Sequence, residues 1–264
     1  MKQARRLIES GRCSVNGRIR TFASADVRQG DWIEVVPATS SKPQESCQIV
    51  HEDDALVVIN KPAGLLVEQS AIDRAVGQRT ILVHRLDKET SGLVLLAKDQ
   101  LTATKLEAMF RERTIHKEYL AIVDGELERP FGVLSWPLKL KKRLVHEVYW
   151  GVDPSGKEAV TEFVRLLLGK AATLVLLKPK TGRTHQLRVH MAHLGHPIIG
   201  DYQYADRFRC SVRPQRCLLH AWKLTLAHPV DGQIRTWEAP VPEDMQDVAV
   251  QLFGKEGLFS LCEH

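Results

Sequence analysis

The carboxylate of Asp87 stands in the polar stretch His84-Arg85-Leu86-Asp87-Lys88-Glu89-Thr90-Ser91-Gly92, directly before Leu93-Val94-Leu95-Leu96-Ala97-Lys98. The second run is short, continuous and apolar and is closed by a charge, which predicts a buried strand. The first run is polar and ends in glycine, which predicts the loop feeding that strand. A carboxylate at the mouth of a rigid element, with Arg85 and Lys88 close by, stands where functional groups favour loops on a fixed scaffold. The stretch alone names no reaction, because aspartates in turns also serve as caps. Asp87 and Glu89, at i and i+2, share one side of an extended chain, as a glycosidase pair could; their basic surroundings suit polyanions better than neutral sugars. His185, His190, His193 and His196 raise zinc as a second chemistry. No cysteine or carboxylate joins them in sequence, and Arg183 and Arg188 would repel a cation, so no metal is expected.

The charge distribution agrees with a polyanionic partner. The 264 residues carry 37 basic and 32 acidic side chains, a formal net charge of +5. From Phe163 to Gly200 there is no acidic residue, while Arg165, Lys170, Lys178, Lys180, Arg183 and Arg188 lie in that span. An acid-free basic stretch of this length predicts a surface that meets phosphates. Five scattered cysteines with no C-x-x-C pair, and no apparent signal peptide, point to reduced thiols and a cytoplasmic setting. No apolar run approaches membrane-spanning length, so no membrane span is expected.

The elements that position these groups follow from periodicity. Residues 2–10 read as a helix with Ala4, Leu7 and Ile8 on one side, stopped by Gly11. Cys13-Ser14-Val15 and Arg18-Ile19-Arg20 flank Asn16-Gly17, a hairpin signal because both turn positions need positive φ. Gly30-Asp31 turns into a strand over 32–36, and polar residues 38–46 read as a linker. Strands are expected at Ile49-Val50 and Leu56–Ile59, with Pro62 and Gly64 breaking the second. Ser70 to Arg79 reads as a mobile polar loop. Asp99 caps a helix to about Arg113 that buries Ala103, Leu106, Met109 and Phe110. Ile115 to Val123 alternates as a strand, whose period of two points Lys117 and Tyr119 the same way. Lys139, Lys141, Lys142 and Arg143 read as a basic loop, followed by strands over 144–150, 159–168 and 172–178. Thr184 is the expected cap of a helix with Leu187, Met191 and Leu194 inward, ended by Gly195. Arg183 then precedes a helix start, where free N–H groups attract anions. A hairpin over 218–237 and a helix over 243–253 close the chain. Strands outnumber helices without regular alternation, which predicts an α+β fold with a mixed, mainly antiparallel sheet and flanking helices.

The N-terminal residues Arg5-Arg6-Leu7-Ile8, Gly11, Val15-Asn16-Gly17 and Gly30-Asp31 resemble the small RNA-binding domain first seen in ribosomal small-subunit protein four. That domain's usual first helix has no counterpart, so it is expected in truncated form or with the true start upstream. Roughly residues 49–242 resemble the RluA-type pseudouridine synthases. The segments that carry the likeness are His84 through Gly92, Lys117-Glu118-Tyr119-Leu120-Ala121, Lys178-Pro179 through Arg188-Val189-His190, and Leu194 through Asp201, with Asn60-Lys61-Pro62-Ala63-Gly64 and Leu219-His220-Ala221 also matching. Three units are expected: a partial RNA-binding domain at 1–37, a linker at 38–47 and a catalytic domain at 48–264.

The resemblance implies a cofactor-free isomerisation of uridine within RNA, ribosomal RNA first and transfer RNA as alternative; a monomer is expected, though no residue pattern points to it. It implies Asp87 as the catalytic aspartate, Tyr119 as the tyrosine beside the base and Arg183 as the partner of the aspartate. A stacked uridine must flip out to react, and Arg85 is the candidate to fill the gap it leaves or, equally, to contact a phosphate. Leu187 is expected against that base or in the core. Arg188, Lys117, Lys141, Lys142, Arg5 and Arg6 are the remaining candidates for RNA contact. An RNA-binding protein without activity is the competing reading; it would have no use for Asp87, Tyr119 and Arg183 together.

Overall fold

The computed structural model describes residues 4, 7, 8, 13–15, 18–20, 27–35, 46–144, 148–205 and 207–254. Near the N-terminus, β1 (Cys13–Val15) pairs with both β2 (Arg18–Arg20) and β3 (Ile33–Val35), so the hairpin expected around residues 16 and 17 forms. Ala4, Leu7 and Ile8 are helical, and Arg5 and Arg6 lie outside the described residues. Then come β4 (Gln48–Glu52), β5 (Leu56–Lys61), α1 (Gln69–Val76), β6 (Ile81–Leu82), β7 (Ser91–Ala97), α2 (Gln100–Glu112) and β8 (His116–Asp124). The second half holds β9 (Phe131–Ser135), β10 (Leu138–Arg143), β11 (Val148–Val152), β12 (Val160–Leu168), β13 (Ala172–Pro179), α3 (Gln186–His193), β14 (Leu219–Ala227), β15 (Ile234–Glu238) and α4 (Glu243–Phe253).

Residues 56–59 of β5 and 93–97 of β7 form continuous apolar runs because both of their faces are covered. Successive side chains leave a strand on opposite sides. Val57, Ile59, Val94 and Leu96 pack with Ile72 and Ala75 of α1, whereas Leu56, Val58, Leu93 and Leu95 pack with Ala103 and Leu106 of α2. α1 corrects the expectation of a mobile loop over 70–79. It buries only Ile72 and Ala75, too few apolar positions to show a helical period, and Gly77 at φ +79° ends it. Asp99 caps α2 as expected, accepting from the Thr102 N–H at 2.9 Å.

A ten-stranded sheet runs β4-β5-β7-β14-β8-β13-β12-β9, with β15 paired to β14 and β6 to β7. Every described pairing is antiparallel other than that of β7 with β14. That parallel seam is tight. Gly92 has φ +109°, and a Cβ there would lie 2.2 Å from the Ala221 carbonyl oxygen. Only glycine satisfies both the backbone angle and the approach. Ser91 Oγ and His220 Nδ1 meet across the seam at 3.0 Å, and His220 Nε2 reaches the Ala239 carbonyl at 3.3 Å. The larger core lies beyond the seam, where β8, β12, β13 and β14 pack with Leu187 and Met191 of α3 and Met245 and Ala249 of α4.

β10 and β11 form a separate two-stranded hairpin. The tract Lys139–Arg143, expected as a loop, is therefore a strand, with Lys142 opposite Tyr149 and Arg143 opposite Val148. Strand pairing overrides the local signal because Leu138 and Leu140 anchor alternate positions while the charges face water. Among the described residues, no helix is long and apolar enough to cross a membrane.

Candidate active site

Asp87 is held at the seam by a loop fixed from three sides. His84 Nε2 accepts the Leu95 N–H at 2.8 Å, at the gap on β7 between its pairing with β6 and its pairing with β14. The Thr90 N–H donates to the Asp87 carbonyl at 3.1 Å. The ammonium of Lys61, a residue 0% exposed, donates to the carbonyls of Pro62, Leu65 and Lys88 at 2.8, 3.0 and 3.2 Å. Burial lowers the Lys61 pKa to about 8, and those three acceptors satisfy its donors. The Asn60–Gly64 segment is thereby tied to the Asp87 loop, and the Gly64 N–H adds a bond to the Lys88 carbonyl at 2.8 Å.

Two cationic or imidazole groups from the start of α3 face the Asp87 carboxylate. Arg188 Nη1 lies 3.5 Å from Oδ2, and His185 Nε2 lies 3.8 Å from Oδ1. Arg188 is itself buried and fixed. Its Nε and Nη2 form a fork on Asp201 at 2.8 Å each, Nη2 also donates to Gln203 Oε1 at 2.8 Å, and the guanidinium lies 5.0 Å from the Tyr204 ring centroid. Such a fork fixes the plane of the guanidinium, as an ammonium could not. The helix starts where it does because Gln186 is fully engaged. Its Oε1 accepts from Thr181 Oγ1 and the Arg183 N–H at 2.7 and 3.0 Å, and its Nε2 donates to the Val160 carbonyl and Thr161 Oγ1 at 3.0 Å each. The N-cap is His185 at φ +55°, without a side-chain cap, rather than Thr184 as expected.

Arg183, expected beside Asp87, is not there. Its Nε donates to the Glu158 carbonyl at 2.9 Å, and the arginine against Asp87 is Arg188. The reason is helical geometry: Arg183 precedes the first turn and leaves toward β12, while Arg188, inside α3, points back at the seam. For the same reason Arg188, expected as an RNA contact, is 6% exposed and committed to carboxylates. Leu187, open between base and core, lies in the core. Tyr119 stands opposite Ala221 of β14, next to Gly92 across the seam. Burial, and then the charge of Asp87, push its phenol well above the ordinary tyrosine value, so it stays protonated.

Lys117 shares that face of β8, as its spacing predicts. Its ammonium lies 5.8 Å from the Phe110 ring centroid, and desolvation lowers its pKa. Arg85 and Lys142 are exposed. Lys141 is spent within the hairpin, on Asp153 at 2.6 Å. The sequence reading missed His185, Asp201, Gln203 and Tyr204 as parts of the site. Asp201 had a signal, since it follows Gly200 at the end of one of the motifs, and a buried arginine requires a carboxylate. Gly200, at φ +84° with a Cβ position 1.9 Å from the Arg216 carbonyl oxygen, fixes the turn that presents it.

Burial holds three imidazoles neutral: His84 near pKa 3, with a further push from Lys117; His185 near 4, with one from Arg188; and His220 near 4. Each value lies below the ordinary histidine pKa of about 6.5. At pH 5 the unfolded chain therefore binds nearly three protons that the folded chain refuses. Their contribution to stability is complete above about pH 6.5 and is lost as pH falls toward 4. Urea unfolding at a series of pH values is expected to show this slope; an unfolding free energy that is flat between pH 5 and 7 refutes it.

Residues 55–193 match the family model described as RNA pseudouridylate synthase. The chain is 38% identical over 254 residues to ribosomal large subunit pseudouridine synthase D of Nitrosomonas europaea, covering 84% of this chain and 73% of that protein. It is 35% identical over 229 residues to tRNA pseudouridine synthase C of Vibrio parahaemolyticus, covering 76% of this chain and 93% of that one. Its fold matches the solved human RNA pseudouridylate synthase domain containing 1 with a TM-score of 0.67 at 29% identity, over 76% of this chain and 86% of that chain.

Proposed function

The chain belongs to the RNA pseudouridylate synthase family and is an RNA pseudouridine synthase; from that premise we propose that Asp87 is its reacting carboxylate and large-subunit ribosomal RNA its substrate. The reaction breaks the N1–C1′ bond, turns the uracil, joins C5 to C1′, removes the C5 proton and returns a proton to N1. Nothing enters or leaves overall. The carboxylate either attacks C1′ or takes the 2′ proton to leave a glycal, and it must be ionised for both. Arg188 sets a fixed positive charge against that carboxylate, its Nη1 lying 3.5 Å from Oδ2. Because Arg188 is forked on Asp201, it lends charge to Asp87 without covering it, and 22% of the Asp87 side chain remains open. This arrangement is the observation that carries the reading. Tyr119 offers a flat ring to the uracil and a protonated hydroxyl that can relay the C5 proton. Arg85 takes the vacated place in the RNA stack.

Relatives named for the large ribosomal subunit support the substrate, and they match over most of the chain. The three-stranded N-terminal sheet is consistent with an RNA-binding appendage over residues 1–37 like that of ribosomal small-subunit protein four, joined through 38–47 to a catalytic domain at 48–264. The enzyme works in the cytoplasm, where its substrate is. Mapping pseudouridine across total RNA from cells with and without the gene tests the assignment. Sites in large-subunit ribosomal RNA are expected to vanish; a change confined to transfer RNA would move the substrate to the class named for the Vibrio relative.

The hairpin of β10 and β11 belongs to the RNA footprint in this reading, through Lys142 and Arg143. Replacing both by glutamine is expected to weaken RNA binding at low salt. The slope of log affinity against log salt should flatten by roughly 0.7–0.9 for each phosphate that is no longer neutralised. An unchanged slope removes the hairpin from the interface.

A further inference from the structure

The hairpin is not an independent arm, because two side chains join it to the groups that face Asp87. Gln203 accepts from Arg188 Nη2 at 2.8 Å and donates through Nε2 to the Val148 carbonyl at 2.9 Å. Only this orientation of the amide serves both partners, since a guanidinium only donates and a carbonyl only accepts. Tyr204 makes the second link. Its hydroxyl accepts the Trp150 N–H at 3.0 Å and lies within hydrogen-bond distance of His185 Nδ1 at 2.7 Å, while the other ring nitrogen of His185, Nε2, faces Asp87. The Tyr204 ring also supports the Arg188 guanidinium.

Both links leave β11, and the exposed charges stand directly across the ladder from them. Arg143 is opposite Val148 and Lys142 is opposite Tyr149, with Trp150 next along. The base of the hairpin is clamped to the body by the exchange of bonds between Leu138 and Lys157 at 2.8 and 2.9 Å. A load on Lys142 and Arg143 is therefore felt at Val148 and Trp150 before it is felt at the base. At this junction the indole Nε1 of Trp150 is buried with no acceptor among the described residues.

Resting on the reading of Asp87 and the hairpin given above, we propose that Gln203 and Tyr204 are positioning residues that couple RNA contact at the β10–β11 hairpin to the placement of Arg188 and His185 around Asp87. Phosphates on Lys142 and Arg143 settle β11, β11 settles Gln203 and Tyr204, and these align the two groups that flank the carboxylate. Hairpin occupancy thus enters the rate at saturating RNA as well as the affinity.

The test is single-turnover tritium release from a large-subunit ribosomal RNA transcript made with [5-3H]uridine, alongside filter binding. Tyr204→Phe keeps the ring under Arg188 and removes the hydroxyl; Gln203→Met keeps the volume and removes both bonds. Each is expected to lower the saturating rate about 10- to 100-fold with affinity within about twofold. Neutralising Lys142 and Arg143 is expected to lower both affinity and saturating rate in the wild-type background. In either linked variant the same neutralisation should lower affinity alone, because the coupling is already cut. Multiplicative rate losses in the combined variants overturn the proposal, as does a wild-type saturating rate in both Tyr204→Phe and Gln203→Met, or in the neutralised hairpin alone. An active Asp87→Asn protein in the same assay is a separate result, since it removes the reading of Asp87 on which the coupling acts.

Discussion

Asp87→Asn is expected to leave no measurable pseudouridine, a loss on the order of 10,000-fold or more, as when an essential group of a catalytic unit is removed. The substitution is nearly isosteric. An amide can neither attack C1′ nor take the 2′ proton, so both routes close together. The fold has little reason to respond. The backbone bond from Thr90 to the Asp87 carbonyl is untouched, and the Lys61 ammonium holds the neighbouring Lys88 carbonyl. Arg188 keeps its fork on Asp201. RNA affinity is therefore expected within a few-fold of wild type, because phosphate contacts supply most of it. Tritium release and filter binding on one preparation separate the two effects. A protein that still isomerises uridine sinks the assignment of the reacting group, whereas abolished binding with a lowered melting temperature would show that the residue holds the loop.

Much of this site was legible in the sequence, and what escaped notice did so for a physical reason. The strand after Gly92, the face shared by Lys117 and Tyr119, and the cap at Asp99 all follow from local pattern, because period and capping act within a few residues. Local pattern alone fits Asp87 equally to a turn cap; its proposed role comes from the resemblance, which its contiguous stretch helps to carry. Its electrostatic partner was not found, because two arginines five residues apart flank the start of α3 and sequence does not say which turns inward. That choice is made by Gln186, whose four hydrogen bonds reach Thr181, Arg183, Val160 and Thr161, and by Asp201, thirteen residues beyond Arg188. The helix α1 was hidden because its two buried side chains are answered by apolar residues of β5 and β7, not by its own neighbours. β10 was read as a loop since its lysines alternate with only two leucines, and the stability of its hairpin with β11 comes from pairing and from the cluster at its base with Val189.

The choice between the two arginines gives the second large effect. Removing the Arg188 side chain, as in Arg188→Leu, leaves Asp201, whose side chain is 1% exposed, as an uncompensated buried charge. Breaking a buried pair from one side costs roughly 3–5 kcal/mol, which for a domain of this size is a fall in melting temperature of several degrees or more. Asp87 loses its cation at the same time, so activity should fall with stability. Arg188→Lys separates the two losses. It restores a charge near Asp201, so part of the stability returns, but a point charge cannot fork Asp201 and still face Asp87 and Gln203. Activity is therefore expected to stay at least about 100-fold down, by analogy with the loss of one preorganised electrostatic partner. Arg183→Gln is the contrast. Its Nε bond to the Glu158 carbonyl is exposed, so a stability change within about 0.5 kcal/mol is expected, with weaker RNA binding but a saturating rate close to wild type. Thermal melts and single-turnover rates on the three proteins decide the matter. An inactive Arg183→Gln beside an active Arg188→Lys would mean that the aspartate finds a different arginine once RNA is bound.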